Sequence, residues 1–228
     1  MNLKSLALTL AGKTGQLNLA LNAYETLTGD VPWAQDVYLD DDIRQFKFDE
    51  SNRKGYVLFP LIPGYRSLTL RFCTLGHAFR AHGYEPLILR DDRDLPARPE
   101  LTVDESTPTV SVEACRYRSK RLPELFNIKT IDISDVTHGR VYQSSFEDLN
   151  SVVHKEIPVS DCAAASMRKY LKKYRLDLDD IETQTTFEKF LIAGIMIVDA
   201  VEKLLEQYNI TLTIINEPNY IQGAVPAR

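Results

Sequence analysis

The sequence predicts an α/β fold: a Rossmann-like, mainly parallel sheet with helices on both faces and a helical amino-terminal extension. Three observations predict it. Val57, Leu58 and Phe59 form a continuous apolar run, the composition of a strand covered on both faces. Pro63-Gly64 breaks the run, and Leu68, Phe72, Leu75 and Phe79 then recur at helical spacing. Gly83 stops the helix in a left-handed turn, and Pro86 to Leu89 supplies a second apolar strand that a right-handed crossover lays parallel to the first. Tyr56 to Arg90 is therefore a βαβ unit, with Ser67 placed to cap its helix.

Upstream, residues 1–50 read as one or two helices around Leu3, Leu6 and Leu10 and then Leu17 to Leu27, and residues 51–228 as the Rossmann-like domain. Gly12-Lys13-Thr14 is not a phosphate loop, because Ala7 stands where the first glycine of that motif belongs. Trp33 to Phe48 reads as a polar connector with aromatic pins.

Downstream of the second strand, Asp91-Asp92-Arg93-Asp94 reads as a solvated turn, with a site for a divalent ion as the alternative. Leu95 to Pro108 is a long surface connection, and helical pattern resumes from Val110 to Phe126, with Arg116, Arg118, Lys120 and Arg121 on it. Ile128 to Ile133 alternates as a third strand and leads into a loop, Ser134 to Gly139, that would line a cleft. Val159-Ser160-Asp161 caps a helix through Met167, Tyr170, Leu171 and Tyr174 that carries Arg168, Lys169, Lys172, Lys173 and Arg175. Thr185 and Glu188 have capping-box spacing at the start of a helix running to about Tyr208, whose first half is apolar nearly all round and so buried on several sides. Thr211 to Ile215 is a fourth strand. It delivers Asn216 to Tyr220 to its carboxyl end, and Gly223 to Arg228 opens a helix that stops at once. The chain therefore reads as incomplete at its carboxyl end, the amino-terminal part of something longer.

Composition narrows the function. With 228 residues, 44% of them hydrophobic and 26% charged, the chain can bury a full core. A net charge of −5 argues against a nucleic-acid partner. Cys73, Cys115 and Cys162 are odd in number and far apart, which suggests neither a disulfide framework nor metal-ligand spacing. No apolar segment approaches the ~20 residues needed to span a bilayer, and the opening apolar run is too interrupted for a secretion signal. The Asn209-Ile210-Thr211 acceptor triplet is then accidental, and the expected location is cytoplasmic. The two basic helical segments are solvated faces by default. Their functional alternative is attraction to anionic lipid headgroups or to a lipid-phosphate acceptor, at the inner face of the membrane.

The stretch YVLFPLIPGYRSLTLRFCTLGHAFRAHGYEPLIL resembles the amino-terminal signature of GT-B glycosyltransferases, in particular those of capsule and surface polysaccharide biosynthesis. INEPNYIQGAVPAR is similar to the later strand and loop of the same domain, so the resemblance spans Tyr56 to Arg228. It implies the acceptor-side domain of a two-domain hexosyltransferase, inactive alone, with a nucleotide-sugar donor bound by a missing carboxyl-terminal domain. The implied partner is a glycan or lipid-linked acceptor, with peripheral membrane contact. No cofactor or metal is expected on this chain.

Glycosyl transfer needs a base for the acceptor hydroxyl, groups that orient the sugar, and positive charge for the leaving diphosphate. The loops at the strand ends offer Gly64, Tyr65, Arg66 and Ser67 from the first unit, His138 from the third, and Asn216, Glu217 and Asn219 from the fourth. Gly64 permits close backbone approach, and Arg66 or the helix start attracts an anion. Glu217 or His138 could serve as base, or either could only orient its loop. His77, His82 and His154 read as structural. A different class stays open, a non-catalytic Rossmann-like ligand-binding or partner module. The single glycine of Leu61 to Ser67 lacks the dinucleotide fingerprint and so disfavours NAD.

Overall fold

The computed structural model describes residues 46, 48–62, 66–91, 95–97, 119–138, 140–142 and 146–227, with backbone alone for Arg66, Ser67 and Gln222. The expected extension, residues 1–50, lies almost wholly outside them, as do Asp92 to Asp94, Arg116, Arg118 and Cys115.

Four parallel strands form the central sheet: β1 (Gly55–Pro60), β2 (Tyr84–Arg90), β3 (Lys129–Asp132) and β6 (Ile210–Thr213), in the order β3-β2-β1-β6. Leu58 pairs with Leu87 on one side and Thr213 on the other, and Leu89 pairs with Pro60 and Ile131. Successive side chains of a strand point to opposite faces, so the apolar run of β1 serves two cores. Val57, Phe59, Leu61 and Ile88 pack with Leu68, Phe72 and Cys73 of α1 (Arg66–Ala81) and with Leu122 of the helical residues 119–125. Leu58, Leu87, Leu89 and Ile131 face the other way. They meet α3 (Val159–Leu171), α4 (Ile181–Gln207) and α5 (Ile221–Ala227) through Val159, Phe190, Ile197 and Val225. Helices thus cover both faces, as the sequence predicts.

One buried and one half-buried ion pair tie the strand ends. Arg80, at the end of α1, binds Glu85 of β2 and donates to the carbonyls of Phe126 and Asn127, fixing the entry to β3. At the opposite end Arg90 grips both carboxylate oxygens of Asp132.

Several local expectations need correction. Ser67 does not cap α1, which begins one residue earlier at Arg66. The buried face of α1 runs through Leu68, Thr69, Phe72, Cys73 and Gly76, leaving Leu75 38% exposed. Gly76 lies on that face instead, where its missing side chain lets Pro86 and Ile128 close against the helix. Ser134 to Thr137 is not loop but α2 (Ile133–Thr137), where the Asp135 carboxylate accepts from the Asp132 amide at 3.3 Å. Val159 to Asp161 lie inside α3 rather than capping it, and Tyr174 lies beyond its end, after Lys172 turns left-handed at φ 53°. Thr185 does not start α4: Asp180 does, accepting from Thr183 N at 2.9 Å and Thr183 Oγ1 at 2.7 Å, while Thr185 donates back to the Ile181 carbonyl. The antiparallel hairpin of β4 (Val153–His154) and β5 (Ile157–Pro158) was not legible as strands.

Candidate ligand crevice at the sheet switch point

The chain leaves β1 for β2 and β3 on one side, then returns to place β6 on the other. The carboxyl ends of β1 and β6 therefore flank a topological switch point, where open parallel sheets form crevices. The β1 side is furnished by buried Leu61 and Ile62 and by the first turn of α1. Gly64 and Tyr65 lie outside the described residues, and Arg66 and Ser67 occupy that first turn.

The β6 side is built in more detail. Ile214 N donates to the Leu58 carbonyl at 2.8 Å, which carries the β1 pairing one residue past the strand. Asn216 Oδ1 then accepts from Arg71 Nη1 at 3.1 Å, so a residue of α1 reaches across the switch point. Glu217 pairs with Lys169 Nζ at 3.0 Å, and the same ammonium sits 4.1 Å from the Tyr220 ring centroid. The turn closes tightly: a Cβ on Gly223 would stand 2.0 Å from the Glu217 carbonyl oxygen, so only glycine fits there. Ile221 N donates to Ser166 Oγ at 2.9 Å, tying the start of α5 to α3.

Arg71, Asn216, Glu217, Lys169 and Tyr220 thus form one polar rim, with Asn219 exposed beside it. His138 is not part of it. It is the exposed residue that ends α2, beyond β3, and β3 and β6 are opposite edges of the sheet, about 14 Å apart at the usual strand spacing. The two bases expected from the sequence are therefore not brought together. Glu217 carries an ammonium on its carboxylate, an arrangement that orients the loop.

A second polar cluster was missed. Asp199 lies within α4 with its side chain 5% exposed, and its carboxylate receives His154 Nε2 at 2.8 Å, Arg140 Nη1 at 2.6 Å and Lys155 Nζ at 3.0 Å. Burial pushes the Asp199 acid upward, but the hydrogen bonds from His154, Arg140 and Lys155 outweigh it and hold the group at about 2. Burial and the Asp199 charge push the Tyr142 phenol up in turn. His154 is thus partnered by a buried carboxylate. The signal was a lone aspartate inside Ile197-Val198-Asp199-Ala200-Val201, since a buried acid needs partners.

Asp91 is buried, and its Oδ1 accepts from Leu95 N at 3.3 Å. Among the described residues no group of His, Cys, Asp or Glu is arranged to hold a metal ion, and no helix is long and apolar enough to cross a membrane. Compared with known proteins, the chain matches no family model, no curated protein and no solved structure.

Proposed function

We propose that the chain is the acceptor-side domain of a GT-B-type glycosyltransferase acting in surface polysaccharide or glycan assembly, with the sugar nucleotide held by a second domain. One observation carries the reading. The order β3-β2-β1-β6 sets the carboxyl ends of β1 and β6 side by side, and past β6 Asn216 and Glu217 are held by Arg71 and Lys169. An amide, a carboxylate, a guanidinium and an aromatic ring on one rim are the groups that bind sugar hydroxyls and a ring face. In that role Asn216 and Glu217 orient the acceptor. Arg66 begins α1, and a guanidinium there would supply the positive charge that a leaving diphosphate needs. This rim and the resemblance of the βαβ segment support that activity.

The test is amide chemical-shift mapping on the purified chain with cellobiose, maltose and chitobiose, and separately with UDP-glucose. The disaccharides should move resonances of residues 66–71 and 216–220, and UDP-glucose should leave them in place. Arg66→Ala and Glu217→Gln should each weaken the disaccharide response several-fold with the fold intact by circular dichroism. If no disaccharide shifts these amides, the reading fails. A non-catalytic binding module is the second reading, favoured by the Lys169 contact that occupies Glu217 and by the distance of His138. It expects a nucleotide such as UMP, and no saccharide, to move the same amides.

A further inference from the structure

A cavity of about 420 Å³ opens beside the end of α3, between that helix, the segment 172–178 and the first turns of α4. Ala164, Leu176, Leu178 and Phe187 make its apolar floor, the last of them 1% exposed, and exposed Asn150 lines it beside them. Its mouth carries Arg168, Arg175 and Tyr174, whose ring is 90% exposed. Neither arginine has an ion-pair partner among the described residues. In the segment that follows, Asp180 caps α4 and Asp177 accepts from the Asp179 amide at 3.2 Å. Lys172 and Lys173 are exposed in the same turn, and the charged residues that line the cavity, Arg168 and Arg175, are both cations in a chain of net charge −5.

An apolar floor under two guanidinium groups that have no ion-pair partner among the described residues fits one ligand chemistry. The floor takes hydrocarbon, and planar five-donor groups at the mouth take a phosphate through paired hydrogen bonds. We propose that this cavity binds an amphiphilic anion, an apolar chain ending in a phosphate, with the chain on Leu176, Leu178 and Phe187 and the phosphate between Arg168 and Arg175. The turn of α3 that gives Arg168 to the cavity also carries Lys169, which contacts both Glu217 and Tyr220 at the crevice rim. If the chain serves glycosyl transfer, the cavity anchors the lipid phosphate of the acceptor while the crevice holds its sugar. That role rests on the function proposed above; the binding itself does not.

The probe is decyl phosphate below its micelle concentration, titrated by calorimetry and followed by chemical shifts, with decanol and inorganic phosphate as controls. Saturable binding is expected, with shifts at Ala164, Leu178 and Phe187 and much weaker responses to either control. The double variant Arg168→Gln/Arg175→Gln should lose at least about tenfold in affinity, while Glu217→Gln should bind as the parent does. Flotation with phosphatidylglycerol vesicles that depends on both arginines, and fails with phosphatidylcholine, means that the phosphate is read on a membrane surface. Decyl phosphate binding without flotation means a monomeric amphiphile. Absence of saturable binding, binding only above the micelle concentration, or equal affinity in the double variant overturns the proposal. Loss of the disaccharide response with decyl phosphate binding intact removes only the glycosyl-transfer reading.

Discussion

Lys155 and Glu156 close the β4–β5 hairpin with φ values of 50° and 69°, a left-handed pair that two-residue hairpins usually fill with Asn-Gly. Each non-glycine residue held there costs about 1–2 kcal/mol. Lys155 offsets its share through its contacts with Asp199 and Glu202, whereas Glu156 is exposed. Glu156→Gly should therefore raise the unfolding free energy by about 1 kcal/mol in urea titrations, and Lys155→Gly should not. Asp199 sets a second expectation. Its folded value of about 2 lies below the ordinary 3.8, so its contribution is fully present above pH 4 and is lost as pH falls through 2. The stability at stake is on the order of 2 kcal/mol. Asp199→Asn should flatten this part of the stability profile when urea unfolding is measured from pH 2 to 6. The cluster was hard to read in the sequence because its members lie on a loop, a hairpin and a helix that only the tertiary fold unites.

Among the elements, the turn between β6 and α5 is the most tightly made. Gly223→Ala would drive a methyl group into the Glu217 backbone, and the turn would have to open, at a cost of about 1–3 kcal/mol. The Lys169–Glu217 pair should loosen with it, visible as shifted side-chain resonances of both residues. Strands β1 and β2 were legible because a strand buried on both faces is apolar throughout, and Val57 to Phe59 and Pro86 to Leu89 are. Helix α4 was legible in its apolar half, but its start was misplaced: the Asp180 cap lies seven residues before Phe187, and Thr185 with Glu188 happens to match the spacing of a cap. With five residues, α2 is too short to show a helical period. The basic end of α3 was legible as a patch. That it roofs an apolar cavity follows only from the return of Leu176 and Leu178 onto the core.

At the scale of the molecule, the βαβ unit predicts that β1 and β2 are parallel neighbours, but no local pattern says on which side of β1 the fourth parallel strand will lie. That choice rests on the pairing of Tyr56 with Ile210, and it makes the switch point. It also leaves β1 and β2 each with two neighbours, whereas β6 pairs with β1 alone among the described residues. Hydrogen exchange should accordingly be slowest at Leu58, Phe59, Ile88 and Leu89, and faster at Thr211 and Leu212. Cys73 and Cys162 are both buried thiols outside any disulfide among the described residues, and the sheet stands between them: the first belongs to the core under α1, the second to the core under α3 and α4. Burial also pushes the Cys73 thiol up, so that it stays protonated and unreactive in the folded chain. In a Cys115→Ser background the two sulfurs become separate alarms, one for each side of the protein. A thiol reagent that reaches them at one common rate reports a chain that opens all at once, and unequal rates name the layer that peels away first.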